Sequence, residues 1–447
     1  MEHGTHSPIS EAEADAALDR LARFDHVVLA VSGGPDSMAL LALAAEWRAR
    51  RGSLLPVISI ATVDHGLRPE SVAEAEFVGC EARRLGLAHT VLRWDGEKPS
   101  TGLAEAARRA RYRLLEEHAR NLSAGATAVV TAHHLDDQAE TFAMRLARGA
   151  GVDGLAAMQF ERAILDASPV VLVRPLLYFS KSRLLASVET RGMAFARDPS
   201  NNDMRYERPR MRRIFPALGA AGISAHAIAA SARRLGEAQA ALAYAEEAFA
   251  STLELTFGNE VFAAFNRESF SQGPAYLRQK VLARLIARYG GASPEPRLSE
   301  IEDLAARLQR HGKCTATLGG AVISAGPRFV RVWREAGRLD HRELNLSPGE
   351  SKVWDQRFVL RWAPGGAGPV TTSVTIKPLG AETYLQIAGR LTAARRPPAR
   401  AAYALPSFWA GAKLLAVPSL APFATASEPP LDPAGCELHS LTLSAGD

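Results

Sequence analysis

Ser32-Gly33-Gly34-Pro35-Asp36-Ser37 brings together residue types that suit the capture of a phosphate. Paired glycines let the backbone turn tightly and approach a ligand, and successive N–H groups in such a turn form an anion-binding concavity. A helix following the turn adds about half a positive charge at its N-terminus. Ser32 and Ser37 supply hydroxyls, and Asp36 is a candidate ligand for Mg²⁺ on the phosphates. The usual Gly-Lys-Ser/Thr ending is missing: Met38 and Ala39 come next, and no lysine precedes Lys98. A second cluster runs Thr131-Ala132-His133-His134-Leu135-Asp136-Asp137-Gln138-Ala139-Glu140-Thr141. Carboxylates at a helix start complement the dipole and cap free N–H groups. His133, Asp137 and Glu140 also share the spacing of one helix face, which suits handling a cationic substrate or a proton. A third cluster is basic: Arg205, Arg208, Arg210, Arg212 and Arg213 crowd nine residues against one acid, Glu207.

These clusters need elements to position them. The apolar run Val27 to Val31 predicts a buried strand entering the glycine loop, with a helix from about Asp36 to Arg51. Val57 to Val63 reads as a second strand ending in Asp64-His65-Gly66, followed by a helix from Pro69 to about Leu85. Thr90 to Trp94, Ala128 to Thr131 and Val170 to Val173 are further strands. Helices over Gly102 to Leu122 and Asp136 to Arg148 separate them. Strands alternating with helices of this length imply right-handed crossovers and a parallel sheet, with ligands beyond the carboxyl ends of the strands. The glycine loop, Asp64-His65 and His133-His134 all fall at such ends.

Past Pro216 the alternation stops. Ile223 to Leu255 reads as helix, and Leu277, Val281, Leu282, Leu285 and Ile286 lie on one helix face. Ser299-x-x-Glu302 reads as a capping box opening another helix, and Thr317 to Ile323 and Arg328 to Trp333 as strands. From about Arg338 the chain is richer in Pro and Gly, with strand-like runs Val353 to Trp362 and Val374 to Lys377. The expected fold is an α/β domain over residues 1–217, a mainly helical domain over 218–337 and a small β-rich domain over 338–447.

The loop is similar to the Ser-Gly-Gly-x-Asp-Ser signature of the PP-loop pyrophosphatase superfamily. Within it the chain resembles the tRNA(Ile)-lysidine synthetase family. The resemblance rests on the His133 to Thr141 run and its continuation Arg145-x2-Arg148-Gly149-x-Gly151-x2-Gly154. It rests equally on Asp64-His65-Gly66-Leu67-Arg68, Glu105-x3-Arg109-x2-Tyr112-Arg113, Arg174-Pro175-Leu176-Leu177 and Asp198-Pro199-Ser200-Asn201-Asn202-Asp203-x2-Tyr206. It is strong over residues 25–217, continues at Pro296-Arg297 and Thr317 to Gly320, and fades beyond Arg338. Pro209 departs from the family pattern, in which a polar residue follows Tyr-x-Arg.

The resemblance implies an adenine-nucleotide alpha-hydrolase-like sheet and a ligase. ATP, with Mg²⁺, would adenylate O2 of the wobble cytidine in the isoleucine tRNA with anticodon CAU. Free L-lysine would then displace AMP from C2 to give lysidine, with pyrophosphate already released. In that scheme Ser32 to Ser37 hold ATP, and Asp36 holds Mg²⁺. Asp137 and Glu140 seat the lysine, and His133 or Asp137 accepts its proton. Arg109 and Arg113, one helical turn apart, face the same cleft and contact ATP phosphate or the adenylated intermediate, with Arg113 and Arg205 counted among the catalytic set. Arg205, Arg208, Arg210 and Arg212 track the tRNA.

Composition sets the bounds. The chain has 447 residues, 53 basic against 48 acidic, and a net charge of +5, which is compatible with a nucleic-acid partner. Cys80, Cys314 and Cys436 share no CxxC spacing, which speaks against a cluster-dependent thiolase, a structural zinc or a disulfide framework. The longest clean apolar run, Met38 to Ala45, is far short of the ~18 residues a membrane span needs. The acidic, Ala-rich first twenty residues read as neither signal nor transit peptide. The expectation is a cytoplasmic enzyme with no membrane and no obligate protein partner.

Overall fold

The computed structural model describes residues 7–52, 56–67, 70–96, 98–165, 168–196, 207–291, 293–310, 312–339, 343–363, 373–393, 396–424 and 436–440. They fall into two compact units, Met1–Ala241 and Leu242–Asp447.

The first unit opens with α1 (Glu11–Leu18) and β1 (His26–Ala30), then α2 (Pro35–Arg51), β2 (Val57–Asp64), α3 (Glu70–Arg84) and β3 (Ala88–Arg93). It continues with α4 (Leu103–Leu122), β4 (Thr127–Val130), α5 (Leu135–Ala147), α6 (Val152–Leu155), β5 (Glu161–Ala163), β6 (Val171–Val173), α7 (Lys181–Thr190) and α8 (Glu207–Arg212). The sheet order is β3-β2-β1-β4-β6-β5. All neighbours pair in parallel except the short edge strand β5, which runs antiparallel to β6. β1 is central and buried along its whole length, so its side chains serve two cores at period two. Val27, Leu29 and Val31 pack with Met38, Leu41 and Trp47 of α2 and Leu184 and Val188 of α7. Val28 and Ala30 pack with Tyr112, Leu115 and Ala119 of α4.

This order creates the site. From β1 the chain steps outward through β2 to β3, then returns to place β4 on the other flank of β1. The crossover that leaves β1, α2, and the one that reaches β4, α4, pack on opposite faces of the sheet, so a crevice opens between the carboxyl ends of β1 and β4. The glycine loop follows β1, and His133-His134 follows β4.

The second unit holds a five-stranded antiparallel sheet, including Cys314–Leu318, Ala321–Ala325 and Phe329–Arg334. Its strands Thr256–Gly258 and Phe262–Asn266 were not anticipated from sequence. The helix Leu298–Gln309 opens with the Arg297 N–H donating to Glu300 at 2.7 Å, not through Ser299 and Glu302. The expected cap is thus displaced by two residues, because Ser299 already lies inside the helix. Beyond Arg338 come a four-stranded and a three-stranded antiparallel sheet. The first three core strands read from sequence match closely, and no single described helix is long and apolar enough to cross a membrane.

Candidate active site

The loop after β1 is closed by one hydroxyl. Ser37 Oγ accepts from the Ser32 N–H at 3.2 Å and donates to the Gly34 carbonyl at 2.9 Å. Gly33 sits at φ 86°, where a side chain is strained, and its carbonyl accepts from the Ala196 N–H at 2.8 Å. Pro35 is the first residue of α2, where a missing N–H costs nothing. The first helical bond is made by the Met38 N–H to the Gly34 carbonyl, so the N–H groups of Asp36 and Ser37 head the helix without intrahelical partners.

His134 joins this loop to α5. As N-cap, its Nδ1 accepts from the Asp137 N–H at 3.3 Å, and the Asp137 carboxylate accepts from the His134 N–H at 3.2 Å. His134 Nε2 lies 3.6 Å from Asp36 Oδ2 and 3.5 Å from Asp137 Oδ2, and its Nδ1 is 3.6 Å from Asp136. Burial disfavours a charged ring here, but Asp36, Asp137 and Asp136 outweigh it and raise the His134 pKa. For Asp36 burial pushes the carboxyl up, yet His134, Lys181 and Arg212 bring it below the usual carboxylate value. Asp36 Oδ1 is buried and without a hydrogen-bond partner, which leaves it aimed at something the loop receives.

The remaining expected residues divide. Asp137 Oδ1 has Arg208 at 3.8 Å and Arg212 at 3.9 Å. Glu140 is buried, and Arg212 donates to both its oxygens at 2.5 and 3.3 Å. Burial raises the Glu140 carboxyl even against that guanidinium. His133 Nδ1 is 2.8 Å from the Thr131 hydroxyl. Burial first, then Arg174, Arg111, Arg108 and Arg208, hold its pKa well below the ordinary value, so the ring is neutral. Arg210 and Arg113 are exposed, and Arg109 pairs with Glu105 at 3.2 Å in solvent. Arg205 lies outside the described residues. Asp64 turns into its own loop, accepting from Ser71 Oγ at 2.7 Å and the Gly66 N–H at 2.9 Å. Pro209 sits in the first turn of α8, where helix donors are unpaired and the ring is tolerated.

Arg109 and Arg113, expected at the phosphates, thus lie on the solvent-exposed face of α4. Tyr112, Leu115 and Ala119 mark its buried stripe, and one turn of helix then puts Arg108 and Arg111, not Arg109 and Arg113, toward His133. The Arg108 guanidinium lies over the Tyr112 ring at 5.2 Å, and Arg174 is buried with one donor on the Gln159 carbonyl. The phase of that apolar stripe was the available signal.

A parallel sheet with a switch point, a lysine-free glycine loop and an orphaned loop carboxylate define a PP-loop nucleotide-binding domain, and the PP-loop domain family matches residues 7–218. Over a longer span the chain is 43% identical to a tRNA(Ile)-lysidine synthase of Bradyrhizobium sp., covering 73% of this chain and 95% of that one. It is 45% identical to the Methylobacterium nodulans synthase, over 66% of this chain and 86% of the relative. With the Brucella canis synthase it shares 38% identity over 90% of this chain and 87% of the relative. The chain belongs to the tRNA(Ile)-lysidine synthase family.

Proposed function

We infer that the chain joins free lysine to C2 of the wobble cytidine in the isoleucine tRNA with anticodon CAU, releasing AMP and pyrophosphate from ATP. The observation that carries this is the meeting, through Asp36 and His134, of a phosphate loop with the buried acids Asp137 and Glu140. One half of the site suits ATP, and the other suits a cationic amine.

Each residue then has work. Ser37 holds the loop shape, and the N–H groups heading α2 receive phosphate oxygens. The orphaned oxygen of Asp36 fits a cation on those phosphates. When Mg²⁺ accompanies ATP, Asp36 would hold it, and the ion would offset phosphate charge. A cytosine C2 oxygen is a poor leaving group, and adenylation cures that. The lysine amine, with a pKa of ~10.4, is neutral in only about 1 in 2,500 molecules at pH 7, equivalent to roughly 4.6 kcal/mol of barrier.

A base must recover part of it. His133 is kept neutral first by burial and then by the arginines around it, so protonating it is costly. The carboxylates are the better acceptors: Asp137, and Glu140 with its raised pKa. Arg212 occupies Glu140 in the free enzyme, so the incoming ammonium must share or displace it. Arg108, Arg111 and Arg174 suit the AMP phosphate or the tRNA backbone beside His133. We assign residues 1–217 to catalysis, 218–337 to contact with the tRNA and 338–447 to docking it, acting in the cytoplasm.

The test is incubation with that tRNA transcript, ATP, Mg²⁺ and labelled lysine. Label should enter the tRNA with stoichiometric AMP and pyrophosphate. No incorporation, or equal incorporation into the methionine tRNA with the same anticodon, would sink the reading.

A further inference from the structure

Phosphate loops of the commoner kind carry their own lysine, and this loop has none. The fold brings one to it from elsewhere. Lys181 is the first residue of α7, and its main-chain N–H donates to Asp136 Oδ2 at 2.7 Å, which ties the base of the side chain to α5. Its Nζ lies 4.0 Å from Asp36 Oδ2, with the side chain 45% exposed. At that distance Asp36 leaves the ammonium largely unsatisfied, pinned at the backbone and open at the tip.

Among the described residues, Asp36 has two basic neighbours at ion-pair distance, His134 and Lys181. His134 is buried and already shared among three carboxylates, so it is not available to a ligand. Arg174, Arg111 and Arg108 gather round His133, and Arg212 is held by Glu140. Lys181 thus stands beside the loop that takes the phosphate tail, on a helix whose first N–H is tied to α5.

We propose that Lys181 supplies the cation this loop lacks, contacting the β- and γ-phosphate oxygens of ATP and then the departing pyrophosphate. This rests on the ATP-splitting reading above. In the step concerned, cytidine O2 forms a bond to the α-phosphorus, and the bond from that phosphorus to the bridging oxygen breaks. The electron pair of that bond leaves with pyrophosphate. The ammonium meets the charge growing there, and no proton needs to move.

The experiment begins with the unaltered enzyme, tRNA, lysine and ATP. Failure to form AMP and pyrophosphate there would defeat the functional reading itself. With that activity in hand, Lys181→Met should raise KM for ATP and weaken inhibition by added pyrophosphate about 10- to 100-fold, as expected for one charge-assisted contact. KM for lysine and the affinity for AMP should stay as they were, because neither carries the β- and γ-phosphates. Lys181→Arg should restore most of the pyrophosphate inhibition. The proposal is overturned if the folded methionine variant binds pyrophosphate as before, or if AMP and pyrophosphate weaken alike. Should the methionine variant not fold, Lys181→Gln carries the same comparison.

Discussion

At the scale of single residues, Asp36 and Ser37 do different things although they are neighbours. Ser37 shapes the loop through two hydrogen bonds, whereas Asp36 offers an unpartnered oxygen to whatever the loop binds. Asp36→Asn should leave the fold intact and cut pyrophosphate release by about 100-fold or more, the scale of losing one preorganised electrostatic contact. Wild-type turnover in that variant, measured as tRNA-dependent pyrophosphate formation, would remove Asp36 from the chemistry. His134 gives a prediction on stability. Its pKa is raised in the fold above the ordinary 6.5, so its stabilisation is complete below about 6.5 and fades as pH rises through the folded value. The gap in Tm between the unaltered chain and His134→Gln should be widest near pH 6 and narrow toward pH 9. A gap that widened with pH would mean that the ring is neutral and acts only as a cap.

At the scale of elements, α7 matters because it starts with Lys181, and it is stapled to the N-terminal helix. Arg183 donates to both oxygens of Glu13 at 2.9 and 2.7 Å and to the carbonyls of Ser7 and Pro8. The hydrogen bond from Arg183 holds the Glu13 carboxyl down to about 2. That contribution is present above the unfolded value of 4.5 and is lost as pH falls toward 2. Because Glu13 is 41% exposed, screening reduces the pair to about 1 kcal/mol. Glu13→Gln should therefore lower urea stability by that amount at pH 7 and by steadily less as pH falls below 4.5 toward 2. The element level is also where the sequence was most and least readable. An unbroken apolar run, then two glycines, then Pro-Asp-Ser, can hardly be anything but strand, turn and helix start, and β1, the loop and α2 lie where the pattern says. The residues Glu161–Ala163 carry no apolar run, because β5 is an edge strand held mainly by its pairing with β6. The exposure of Arg109 and Arg113 has a related cause: a motif names residues, but only the phase of Tyr112, Leu115 and Ala119 says which face they share. Nor could spacing reveal Lys181, which reaches Asp36 only because α7 packs beside α2.

For the whole molecule, the question is how a β-rich end would hold tRNA. Cutting the chain near residue 338 is a poor test, since the structure of Leu242–Asp447 runs across that point. Arg334 and Asp355 form a buried bidentate pair at 2.6 and 2.8 Å, and Trp333 packs in one cluster with Leu379, Tyr384 and Leu420. Truncation would leave Arg334 without its buried partner, a penalty of about 3–5 kcal/mol, and weak tRNA binding would then report unfolding. Phe408 is fully buried in the core and offers no ring to a base. What the surface offers is Trp409, half-buried, with Lys377 Nζ 4.2 Å from its ring centroid, and the exposed cations Lys413 and Arg400. Lys413 stands opposite Ala410 on the strand next to the one that carries Trp409. Basic side chains beside an aromatic ring suit phosphate contact with stacking. Replacing Lys377, Arg400 and Lys413 together by alanine removes three surface charges and leaves the buried pair untouched. Removing one cation from a phosphate flattens the log–log salt dependence of binding by about 0.7 to 0.9. The triple variant should therefore bind the isoleucine tRNA more weakly at low salt, with a slope shallower by about 2 to 3, while KM for ATP and thermal stability hold. Unchanged affinity across the salt series would take this face out of tRNA docking and leave recognition to the rest of the chain.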